Sequence, residues 1–146
     1  MKEKPQETIM KDEYKTLVIN ETEFILQKMT ESSTIDEKIY YFSGLQGVLN
    51  RVMNIEFTEG LLLAFFVTKE VHQAFHQKLI SLKQGDAIKL SDQQVVRLIE
   101  ITKEFLAATK NDDNIDEVLR KYVVLLYSTT GNGHYLMQKG MLKLQS

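Results

Sequence analysis

Helix start and stop signals recur along this chain at the points where its apolar periodicity resets, and that agreement points to an all-α fold. Met10, Tyr14, Leu17, Val18, Phe24 and Ile25 share one stripe and predict a first helix from about Gln6 to Met29, broken at Ser32 and Ser33. Thr34 and Glu37 form a Thr-x-x-Glu capping box for a second helix that reaches about Met53. Thr58 opens the third, with Phe57 and Leu62 spaced as a hydrophobic staple and Gly85 as its stop. Ser91 and Gln94, flanked by Leu90 and Val95, start a fourth helix ending near Lys110. Asn111 to Asn114 make a turn into a fifth, Ile115 to about Tyr127.

Beyond it, residues 128–133 read as a glycine turn, and His134 to Leu144 as a short sixth helix or tail weakened at Gly140. No segment alternates with period two for long enough to make a convincing strand, and the only proline, Pro5, precedes every element. The expectation is one domain over residues 1–146, a bundle of five to six mainly antiparallel helices with residues 1–5 frayed. Leu61, Leu62, Leu63, Phe65, Phe66 and Val67 are apolar all round the third helix, which predicts that helix, residues 58–83, to be central and that run to be among the least exposed.

Charge narrows the function classes. The net charge is −2, from 18 basic and 20 acidic residues with no basic run, which gives no footprint for nucleic acid. The absence of cysteine removes disulfides, thiolate metal sites and a cysteine nucleophile. The longest apolar run is far too short to span a membrane, and Met1 to Pro5 is polar, without the apolar stretch of a secretory signal. A cytoplasmic protein is expected.

His72 and His76 stand four apart on the third helix, where the wheel places both within the apolar arc of Val71, Phe75, Leu61, Leu79, Phe65, Leu62 and Ile80. Spacing of i, i+4 lets both imidazoles bind one divalent metal if another element brings a further ligand. Glu21, in the stripe of the first helix, and His134, after the glycine turn, are the candidates. Such a pair is more often a hydrogen-bonded polar patch than a metal site, so a divalent metal is not the favoured reading. Gln73 follows His72 where a zincin has Glu, and Lys69 precedes it where a di-iron bundle has Glu, so neither motif is present.

Thr130, Gly131, Asn132 and Gly133 could direct backbone N–H groups at an anion, but no strand or Gly-Lys-Ser/Thr accompanies them, and a helix stop and restart is the plainer reading. On the second helix Ser43, Gly44 and Gly47 share a small-residue side with Tyr40 facing outward, which suits a close helix crossing within the bundle or between copies. Tyr135, Leu136, Met141, Leu142 and Leu144 need somewhere to bury. With no complete catalytic constellation, the leading expectation is a non-enzymatic interaction module that self-associates or docks a protein partner through these surfaces. The alternative, which includes an enzyme, is a bundle that binds a metal or small ligand at His72 and His76.

Overall fold

The computed structural model describes residues 12–83 and 92–130, and all five elements within them are helices. They are α1 (Asp12–Glu31), α2 (Ile35–Ile55), α3 (Glu59–Lys83), α4 (Asp92–Lys110) and α5 (Asp116–Thr130). The expected sixth helix, the stop at Gly85, the Ser91 box and the start of the first helix near Gln6 lie outside the described residues.

The helix ends follow from local chemistry. The Thr34 hydroxyl accepts the Glu37 N–H at 3.2 Å, and it also meets the Glu37 carboxylate at 3.1 Å. Thr58 caps α3 by accepting from the Leu61 N–H at 3.1 Å. The end of α1 is covered from the next helix: the Lys38 ammonium donates to Met29 O in its last turn at 2.7 Å and to Ser32 O just beyond it at 2.6 Å. At the α4–α5 turn Asp112 adopts the left-handed conformation, φ 55°. Its neighbour Asp113 donates back to Ala108 O at 2.9 Å, the closing bond of a Schellman turn in which Asp stands where glycine is common. Asn114 Oδ1 then accepts from the Asp116 N–H at 2.8 Å and starts α5.

The helices pack in a closed ring, α1 against α2, α2 against α3, α3 against α5, α5 against α4, and α4 back against α1, with α2 also touching α4 across the middle. Short connections make α1–α2, α2–α3 and α4–α5 antiparallel. Lys15 pairs with Asp112 at 2.8 Å, joining the start of α1 to the end of α4, so that pair is antiparallel too. A five-membered ring cannot alternate throughout, and α3 and α5 run parallel.

Phe42, Phe75, Phe105, Leu45, Leu98 and Tyr122 fill the ring, with the Phe42 and Tyr122 rings 6.0 Å apart. Among the described residues five threonines are buried as well: Thr22, Thr68, Thr102, Thr109 and Thr129. Each hydroxyl donates to the carbonyl four residues earlier, at 2.6 to 2.9 Å, so no buried hydroxyl among them is left unsatisfied. Thr102 also meets the buried Tyr122 hydroxyl at 2.8 Å. Burial pushes the Tyr122 phenol well above its ordinary range, against the lowering effect of Thr102 and with a smaller rise from Glu104.

The expected centrality of the third helix is not what the packing gives. Among the described residues α3 packs on α2 and α5 and reaches neither α1 nor α4. Its first turns are not wrapped on all sides: Leu62, Leu63 and Phe66 are 43, 53 and 53% exposed, against 0% for Leu61 and Ala64. The buried line of α3 is Leu61, Ala64, Thr68, Val71, Phe75 and Leu79, a three-and-four spacing. Two of its members are small or polar, and Thr68 buries cheaply because its hydroxyl bonds Ala64 O. The true inward arc is therefore rotated by roughly 50° from the one that the large apolar residues suggest.

Candidate functional site

That rotation moves the histidines. His72 follows buried Val71 and is half-buried; His76 follows buried Phe75 and is exposed, so the two imidazoles flank the core line and do not sit within it. Helical spacing stacks them, with ring centres 5.9 Å apart and planes 16° from parallel. Burial holds the His72 pKa below the ordinary histidine value, and the neighbouring His76 charge adds to the lowering. His72 is thus biased toward the neutral imidazole, the form that can ligate a metal or accept a hydrogen bond.

Both rings border an open depression of about 810 Å³ lined by Gln46 of α2, by Glu70, His72, Gln73, Ala74, His76, Gln77 and Lys78 of α3, and by Leu126 of α5. Gln46 carries a buried amide oxygen, Oε1, with no hydrogen-bond partner among the described residues. A buried acceptor left without a donor costs about 1–3 kcal/mol, so Gln46 is the polar group in this region that most needs a ligand or solvent. Sequence patterning passes over it, because a glutamine on a flank of an amphipathic helix reads as surface.

The other ligand candidates do not converge here. Glu21 lies on α1, which does not pack on α3, and its half-exposed carboxylate stands 4.0 Å from the Arg51 guanidinium of α2. It is not the costly inward carboxylate that its stripe suggested, and it cannot complete a site with His72. His134 lies outside the described residues. Among the described residues no cluster of three or more His, Asp or Glu is placed to hold a metal ion.

At the end of α5 the helix runs on to Thr130, past the expected stop near Tyr127. Ser128 and Thr129 are accommodated within it, their hydroxyls donating to Leu125 O at 2.9 and 2.8 Å. Thr130, an anion-loop candidate, is therefore the last helical residue of α5; Gly131, Asn132 and Gly133 lie outside the described residues, as do Tyr135, Leu136, Met141, Leu142 and Leu144.

The small-residue side of α2 divides into two. A Cβ on Gly44 would come within 3.2 Å of Ile25 Cδ1 and 3.3 Å of its Cγ1, so this glycine serves the α1–α2 crossing inside the bundle. A Cβ on Gly47 would meet nothing within 4 Å. Ser43 donates to Tyr40 O at 2.5 Å. Tyr40 itself is 69% exposed, edge-on to Tyr41 with ring centres 5.3 Å apart.

Near the start of α3 the exposed large apolar side chains are Phe57, expected only as half of a hydrophobic staple, and Leu62, Leu63 and Phe66, which the all-round apolar run assigns to the core. No helix among the described residues is long and apolar enough to cross a membrane. Comparison with protein-family models, with curated proteins and with solved structures finds no match.

Proposed function

We propose that this chain is a helical-bundle interaction module that works by self-association, with the outer side of the first turns of α3 as its contact surface. The observation that carries the proposal is the exposure of Leu62, Leu63 and Phe66 on the side of α3 opposite its buried line, with Phe57 61% exposed just before the cap. Together they offer roughly 400 Å² of apolar side chain, within the size of patch that on a soluble monomer is often functional. With a polar rim this is close to one side of a modest protein interface, which buries about 800 Å² per partner.

A second copy of the chain is the occupant that the residues favour. If two α3 helices cross antiparallel about a two-fold axis at the level of Ala64, Leu62 of each copy lies beside Phe66 of the other. The same axis sets Glu59 opposite Lys69, because both are five residues from Ala64. The patch is thus self-complementary in charge as well as in apolar character. A net charge of only −2 leaves little overall repulsion between copies. Tyr40, Ser43 and Gly47 on α2, and by their sequence Tyr135, Leu136, Met141, Leu142 and Leu144, are proposed as further contact residues for a copy or a protein partner.

Sedimentation equilibrium tests the proposal. The chain is expected to form dimers at tens of micromolar, the range of a moderate interface. The Leu62→Lys, Phe66→Lys double variant should sediment as a folded monomer with unchanged helical circular dichroism. Glu59→Lys should weaken association and the Glu59→Lys, Lys69→Glu exchange should restore it. A stable monomer from the unaltered chain, or a dimer indifferent to the two lysines, rejects the reading.

A further inference from the structure

We infer that the outer side of the α1–α2 seam is a second docking surface for a copy of this chain, in which Phe24 of each copy packs over the Gly44–Gly47 stretch of the other. The inference deepens the reading of Tyr40 and Gly47 as contact residues and does not need the contact through α3.

Exposed apolar side chains run the length of this seam. Leu17 and Phe24 share one side of α1 and are 37 and 50% exposed, while Tyr40 near the start of α2 and Ile55 at its end are 69 and 64% exposed. Together they offer roughly 450 Å² of apolar surface, a patch of the size that on a soluble monomer is often functional. Between Tyr40 and Arg51 the outward row of α2 consists of Gly44 and Gly47, and a Cβ on Gly47 would meet nothing within 4 Å. Phe24, with the Lys28 ammonium 5.6 Å from its ring centre, therefore projects beside a stretch of α2 that carries no outward side chain.

Two contacts fix the antiparallel register of the seam: Ile25 lies beside Gly44, and the Glu21 carboxylate is 4.0 Å from the Arg51 guanidinium. Phe24 is therefore level with the Gly44–Gly47 stretch, and Leu17 with the last turn of α2, which holds Ile55. A two-fold axis along the seam lays α1 of each copy over α2 of the other without a change of level, so residues that are level within one chain meet again between chains. Phe24 then falls on the glycines, where a partner can approach the backbone closely. Leu17 falls on Ile55, and Glu21 faces the exposed Arg51 of the other copy. The surface complements itself in shape, in apolar character and in charge, which makes a second copy the occupant it fits.

Sedimentation equilibrium of the full chain carrying Leu62→Lys and Phe66→Lys isolates this face from the one on α3. Leu17 and Phe24 are already partly covered by their own chain, so the contact is the weaker of the two, and a dimer is expected at on the order of several hundred micromolar. Adding Gly47→Leu, which fills the space from within, or Phe24→Ala, which removes the projecting ring, should raise the dissociation constant at least about tenfold. Circular dichroism should show both folded, since Gly47 has room for a side chain and Phe24 is half exposed. Arg51→Glu should weaken the dimer, and the Glu21→Arg, Arg51→Glu exchange should restore it. A monomer at that concentration, or a dimer indifferent to both Gly47→Leu and Phe24→Ala, overturns the inference. Neither result bears on the α3 contact, which the two lysines have already removed.

Discussion

The two halves of α3 share one buried line and differ entirely on the outside. From Leu61 to Leu79 the inward positions continue without a break, yet the outer side carries Leu62, Leu63 and Phe66 in the first half and Gln73, His76 and Gln77 in the second. The inward line sets where the helix sits in the ring. The outward residues are free of that duty, and each half uses the freedom differently: the first presents apolar surface that water disfavours, the second presents imidazoles and amides at an open depression. An apolar residue on such a helix is therefore not evidence of core, nor a histidine evidence of surface, until the inward line is known.

The largest expected effect breaks or upholds that division directly. Phe75 is fully buried and Phe66 is 53% exposed. Phe75→Ala should cost about 3–5 kcal/mol in chemical unfolding, whereas Phe66→Ala should change monomer stability by no more than about 0.5 kcal/mol and act on association instead. Equal losses in the two variants, measured at a concentration where the chain is monomeric, would mean that the outer side of α3 is core after all.

A smaller contrast sharpens the account on α2. Gly47 lies in a helix with open space around its missing Cβ, so Gly47→Ala should stabilise the fold by about 1 kcal/mol. Gly44→Ala gains the same propensity but presses on Ile25, so its net effect should be close to zero. If Gly47→Ala weakens association while raising the unfolding midpoint, the small-residue side of α2 belongs to the contact surface; stabilisation without that loss leaves the surface to α3.

Much of the fold was legible because its signals are local. Thr34 and Thr58 cap the helices that their sequence context assigns to them, and Asn114 starts α5 from the acidic turn. Such bonds span two or three residues and need no knowledge of tertiary packing. The rotation of α3 was not legible, because Ala64 and Thr68 weigh little on any hydrophobic scale while Leu62 and Phe66 weigh heavily. Only the neighbours α2 and α5 decide which arc is covered. Glu21 misled for a related reason: its place in a stripe says which side of α1 it occupies, but not that Arg51 meets it at the rim. Gln46 has no sequence signal, since an orphaned acceptor exists only once the surrounding atoms are in place.

The smallest effect concerns the second half of α3. His72 has a lowered pKa in the folded chain, from burial first and His76 second. Its unfolded form therefore binds more protons between the folded value and the ordinary value near 6.5. The contribution of His72 to stability is intact above that ordinary value and is lost as the pH falls through it toward the folded one. Urea midpoints compared at pH 7.5 and 5.5 in metal-free buffer should fall more for the unaltered chain than for His72→Gln. An identical fall in both would remove His72 from the pH response.

The most direct test of the outer surface of α3 is an isotope-filtered nuclear Overhauser experiment on a mixture of labelled and unlabelled chains, which reports only contacts between copies. The account predicts an intermolecular signal between the Leu62 methyls and the Phe66 ring, and none from Leu61 or Phe75 on the buried line of the same helix. An associated chain whose intermolecular signals arise elsewhere and leave Leu62 and Phe66 silent would contradict it.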